Sequence, residues 1–193
     1  LFVGKVARGN TTNNIVNGLF IDSTKLGDQL LTTSKWPYWS YTRKIIENLY
    51  GNIETGKENV AFSNLIKCNS SMKTDRTENL TKKYCIEELK VIWREIEVLK
   101  PKKIIFYTHW DYDSFIADFR PTDNFKDIEN RKHTTKIGAK NMPFWNRVFY
   151  DNNGAILMEF LRIGHPERKK KAEFVDKVTN WIEKPVANNV KLG

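Results

Sequence analysis

Four short stretches of this chain combine side chains capable of chemistry with the glycine or polar residues that end a strand. The first is 59–68, N-V-A-F-S-N-L-I-K-C, where an apolar, strand-favouring run breaks into Ser63 and Asn64, then Lys67 and Cys68. Asn64 donates and accepts at once, so it can read a planar amide edge such as that of a nucleobase; the plainer reading is that it satisfies a loop backbone. The second is 4–10, G-K-V-A-R-G-N, a loop bounded by glycines that let backbone approach a ligand closely, and carrying the cations Lys5 and Arg8. Its G-K pair is not a nucleotide-phosphate loop, because the order G-x-x-x-x-G-K-[ST] is absent. The third is Thr108-His109-Trp110, polar and aromatic after an apolar run. The fourth is Gly164-His165-Pro166, followed by Arg168 and the basic run 169–171.

These stretches can act together only if strands deliver them to one edge. Residues 1–3 read as a short buried strand ended by Gly4, and 103–107 as a continuously apolar strand of the kind buried on both faces of a parallel sheet. Residues 144–150 and 155–163 read as two strands around the hairpin turn Asp151-Asn152-Asn153-Gly154. Helices are expected at 38–50, stopped by Gly51, and at 85–100, with Leu89, Ile92, Trp93, Ile96 and Leu99 on its buried face. A short helix is expected at 111–119 and a last one at 167–183, with Pro166 in its first turn. Residues 69–83 read as a polar loop, and 120–142 as a long polar excursion containing His133. Strands alternating with helices imply an α/β fold: a three-layer α/β/α sandwich, one domain over 1–193, with a central, mostly parallel four-stranded sheet. In such sheets ligands bind beyond the carboxyl ends of the strands, where all four stretches fall.

Composition narrows the partners. The 193 residues are 40% hydrophobic and 12% aromatic, which is a globular composition rather than a disordered one. A net charge of +9 favours an acidic partner, nucleic acid first, against the alternative of a generally basic protein. Cys68 and Cys85 are too few for a disulfide scaffold and suit a reducing, cytoplasmic compartment. No apolar run spans a membrane, no secretory leader is visible, and a monomer is expected.

Taken in order, V-A-F-S-N-L-I-K-C at 60–68, C-I-E-E-L-K-V-I-W-R-E-I-E-V-L-K-P-K-K-I-I-F at 85–106 and G-H-P at 164–166 resemble the uracil-DNA glycosylase superfamily. The likeness runs through nearly the whole chain. The middle run is fairly specific, whereas G-x-x-x-x-G and H-P by themselves are weak. The resemblance implies hydrolysis of the N-glycosidic bond of uracil or another deaminated base flipped out of DNA, as in base-excision repair. It makes His165 the donor to the departing base and Asn64 the reader of its amide edge. It also makes Phe20 the stacking aromatic, with Tyr38 and Trp39 as alternatives. Pro166, Arg168 and Lys169, together with Lys5 and Arg8, become contacts to DNA.

The chain departs from the family pattern in two ways. The first motif usually supplies a carboxylate or an asparagine to position water; residues 4–9 hold no carboxylate, and Asn10 is the nearest polar substitute. Cys68 and Cys85 match two of the four cysteines that hold an iron–sulfur cluster in one branch, and two thiolates do not make that site, so no cofactor is expected. The alternative to an enzyme is a noncatalytic nucleic-acid or nucleobase-binding module that keeps the fold. An α/β hydrolase of another kind is disfavoured because no G-x-S-x-G elbow occurs.

Overall fold

Alternation along the strands sorts the apolar side chains into two cores. Val3, Leu65, Ile104, Phe106 and Phe160 pack with Ile86, Ile92, Trp93, Ile96 and Ile116. Phe2, Phe62, Ile105, Tyr107, Leu161 and Ile163 turn the other way, against Leu31, Ile45, Ile46, Phe174 and Val178. Neighbouring residues of a strand point to opposite faces, so one apolar run such as 104–107 feeds both cores. Each fully buried Ile or Phe contributes about 1.5–3 kcal/mol.

The protein is described here by a computed structural model covering residues 1–6, 23–67, 77–119, 126–137 and 140–184. In chain order the elements are β1 (Phe2–Val6), α1 (Ser23–Thr33), α2 (Pro37–Tyr50), α3 (Ile53–Lys57), β2 (Phe62–Ile66) and α4 (Asn79–Lys83). There follow α5 (Val91–Leu99), β3 (Lys103–Phe106), α6 (Asp113–Ala117), β4 (Lys126–Ile137), β5 (Lys140–Tyr150), β6 (Ile156–Ile163) and α7 (Lys171–Glu183). Sheet order is β2-β1-β3-β6-β5-β4. β1 pairs in parallel with β2 and β3, and β3 with β6, whereas β5 runs antiparallel to both β6 and β4. α1, α2, α3 and α7 supply residues to one core, and α5 and α6 to the other, giving helices on both faces of the sheet. The sheet therefore has six strands, not four: the parallel four are extended by an antiparallel pair.

Local sequence explains most boundaries. Pro37 opens α2, where its missing N–H costs nothing, and Gly51 closes it with φ +82, its N–H donating to the Glu47 carbonyl. The turn 151–154 forms as expected, with Gly154 at φ +80 and the Asp151 N–H donating to the Ala155 carbonyl.

Four expectations are corrected. β1 does not stop at Gly4 but runs to Val6, because Gly4 pairs in register with Asn64 of β2. The helix expected at 85–100 is broken: a wide turn at Tyr84–Glu88 and a left-handed Lys90 (φ +51) intervene. Leu89 and Leu99 are consequently exposed, while Ile92, Trp93 and Ile96 stay buried. The excursion expected at 120–142 contains β4 and the start of β5, paired along their length; β4 carries too few apolar residues to show a period. The last helix begins at Lys171 rather than 167, because Arg168 is left-handed (φ +61) and no helix runs through such a residue.

Candidate functional site

The carboxyl ends of β1, β2, β3 and β6 form one rim, and a polar–aromatic cluster gathers there. Gly4 and Asn64 are register partners, so their side-chain positions lie on the same face. A Cβ at Gly4 would collide with Asn64 Oδ1 and lie 3.4 Å from Tyr38 Cε2. Glycine thus leaves room for the Asn64 amide against β1, close to the ring of Tyr38. Tyr38, in the first turn of α2, stacks on His165 with centroids 6.2 Å apart and planes at 25°. Its other side meets Tyr107 edge-on at 5.5 Å. Tyr107 is fully buried and accepts a hydrogen bond from Thr42 Oγ1 through its hydroxyl at 3.3 Å. Desolvation pushes both phenols well above the ordinary tyrosine value, so both stay protonated.

His165 follows β6 and is half-buried. The Glu167 backbone N–H donates to its Nδ1 at 3.2 Å. A neutral imidazole whose Nδ1 accepts carries its proton on Nε2, so the ring is set up as an Nε2–H donor. Asn64 and His165, singled out in sequence as a base reader and a donor, are thereby brought to one rim through Tyr38. Asn64 lies inside β2 rather than beyond it, since Leu65 and Ile66 continue the strand and are fully buried.

The remaining expected site residues divide. Asn10, Arg8 and Phe20 lie outside the described residues, as does Cys68. Lys5 is a strand residue, not a loop residue, and alternation sends it to the face opposite Gly4. Pro166 is buried and starts a turn, with the Lys169 N–H donating to its carbonyl at 3.1 Å, so it is not in the first turn of a helix. Arg168 is exposed and 4.0 Å from Glu167. The Lys169 carbonyl accepts from Tyr41 Oη at 2.7 Å, Lys170 pairs with Glu173 at 3.0 Å, and Lys171 sits over the Tyr41 ring. The basic run is therefore partly engaged within the fold. Cys85 is buried in the core on the other face. Among the described residues no cluster of three or more His, Cys, Asp or Glu is placed to hold a metal ion, and no helix is long and apolar enough to cross a membrane.

Two polar clusters escaped sequence reasoning. Lys67 bridges Ser63 and Glu95, with Nζ 2.6 Å from Glu95 Oε2 and Ser63 Oγ donating to the same oxygen at 2.5 Å. Arg162 is buried beneath α6 and pairs with Asp113, while its Nε and Nη1 carry no hydrogen bond. Partners 28 and 49 residues apart leave no local signal that would reveal either pair. Comparison of the chain with family models, with curated proteins and with solved structures finds no match in any of the three.

Proposed function

We propose that this protein is a DNA glycosylase of the uracil-DNA glycosylase kind, hydrolysing the N-glycosidic bond of uracil or another deaminated base flipped out of DNA. The observation that carries this reading is the gathering of Asn64 and His165 around Tyr38 at the rim where open α/β sheets bind ligands. A planar base at this rim meets a carboxamide that both donates and accepts, and an imidazole whose Nε2 bears the proton. As the glycosidic bond breaks, its electron pair leaves with the base and the sugar becomes oxocarbenium-like; water then adds to the sugar carbon, and the proton it releases balances the charge on the departed base. His165 Nε2–H acts on negative charge that grows on the base only during cleavage, which is how a donor lowers a barrier rather than merely tightening binding.

A second reading is favoured by one feature. The segment 4–9 offers Lys5 and Arg8 but no carboxylate to position water, as a noncatalytic nucleobase binder with the same rim would. The deciding experiment incubates the protein with single- and double-stranded oligonucleotides carrying uracil, hypoxanthine or xanthine and cleaves abasic sites with alkali. Strand cleavage that depends on His165 establishes the glycosylase. Binding without abasic sites on any of the three bases sinks it and leaves the binder.

A further inference from the structure

Three of the tryptophans among the described residues are buried, at 7% exposure for Trp93, 2% for Trp145 and 9% for Trp181. Two are strongly exposed: Trp110 at 76% and Trp36 at 61%. An indole left in water forgoes a large burial energy, so two such residues invite explanation. Trp110 leads the short turn Trp110–Tyr112 directly after β3, the strand lying between β1 and β6 at the rim. Trp36 immediately precedes α2, two residues before Tyr38. Trp110 thus follows the carboxyl end of β3, and Trp36 lies two residues before Tyr38, whose ring stacks on His165.

Both indoles are carried by firmly held backbone. The Trp110 turn is anchored by buried Thr108 and Tyr112 and clamped by Lys82, which pairs with Asp111 at 3.1 Å and lies 4.8 Å from the centre of the Tyr112 ring. The Trp36 N–H donates to Ser34 Oγ at 3.2 Å, and its carbonyl accepts from Ser40 in the first turn of α2. Exposed Lys35 precedes Trp36 in the chain, and exposed Lys83 follows Lys82 of the clamp. The carboxylate closest in sequence to Trp110, Asp111, is neutralised by Lys82.

We infer that Trp36 and Trp110 are stacking platforms for unpaired nucleobases flanking the nucleotide at the rim, so that single-stranded nucleic acid crosses the site from one indole to the other. This rests on the nucleic-acid reading of the rim but not on catalysis there. Every base presents a π-face, so such platforms hold a strand regardless of sequence while lysines follow its phosphates.

The test is equilibrium binding of an undamaged oligothymidylate to the full chain and to Trp36→Ala, Trp110→Ala, Trp36→Phe and Trp110→Phe, at several salt concentrations. Each alanine variant is expected to lose roughly 5- to 150-fold in affinity, each phenylalanine variant much less, with the slope of affinity against salt unchanged. Unchanged thermal midpoints show that the variants remain folded. Full affinity in both alanine variants overturns the inference; loss at only one indole overturns the two-sided arrangement; a phenylalanine as weak as alanine overturns stacking. If the alanine variants weaken binding while no deaminated base is excised, the platforms stand and the glycosylase falls. No binding by the unaltered protein overturns both.

Discussion

The ring of Tyr38 lies against the imidazole of His165, 6.2 Å between centroids and 25° from parallel, and so ties the start of α2 to the end of β6. Tyr107 buttresses Tyr38 from the sheet and the Glu167 N–H holds His165 Nδ1, so the imidazole is oriented both by its stack and by its own hydrogen bond. A donor acting on developing charge is most effective when held in advance.

If the proposed glycosylase reading holds, His165→Ala should lower the single-turnover rate of base excision by on the order of 100- to 1,000-fold while changing DNA affinity far less. Quenched-flow assays with enzyme in excess, beside equilibrium binding, separate the two. Equal losses in rate and affinity would make His165 a binding residue only.

Gly4→Ala should damage the rim through Asn64. The new methyl would collide with Asn64 Oδ1, so either the amide swings away or β1 and β2 separate. The expected cost is about 1–3 kcal/mol in chemical denaturation, with weakened discrimination between bases. A variant with unaltered stability and selectivity would show that the amide does not lie against β1.

Alkali should destabilise the fold through Tyr38 and Tyr107. Their folded values are raised by desolvation, so above the ordinary tyrosine value, about 10, the unfolded chain releases protons that the folded chain keeps. Their contribution is fully present below that pH and is lost as pH rises beyond it. Denaturation midpoints measured from pH 8 to 11 should fall above about pH 10, and Tyr107→Phe should soften the fall.

Asp113→Ala should cost about 3–5 kcal/mol, because it removes the carboxylate paired with the buried Arg162 guanidinium. Arg162→Met, which removes the buried charge itself, should cost less. The reverse order in urea denaturation would mean that Asp113 matters for something other than this charge.

What could be read in the chain follows the range over which each feature is encoded. The span of α2 is written locally, in Pro37, a helical apolar face and Gly51. The apolar runs of β2, β3 and β6 and the turn at 151–154 are equally plain. β4 is not legible because its sequence carries too few apolar residues to show a strand period, and its pairing with β5 is a backbone matter. The wide turn at Tyr84–Glu88 was hidden because residues 85–100 fit a straight helix equally well. At the rim, Asn64 and His165 stood out as polar stops at strand ends. Tyr38 reads in sequence only as one of three candidate stacking aromatics, with Phe20 and Trp39; its contact with His165 depends on the approach of α2 to the sheet, which no local pattern shows.

β1 occupies the middle of the parallel strands, between β2 and β3, and its residue Phe2 pairs with both Phe62 and Ile105. β3 in turn waits for β6, whose Glu159 meets Lys103. Early in synthesis the rim therefore does not exist: Gly4 emerges first, and His165 joins it only after some 160 residues have been added. Contacts so distant along the chain must overcome a large loop-closure entropy before they reward the fold, which makes for slow, late assembly. A polypeptide interrupted anywhere before β6 would hold Asn64 and Tyr38 without their imidazole, so the three side chains meet only when the last parallel strand docks.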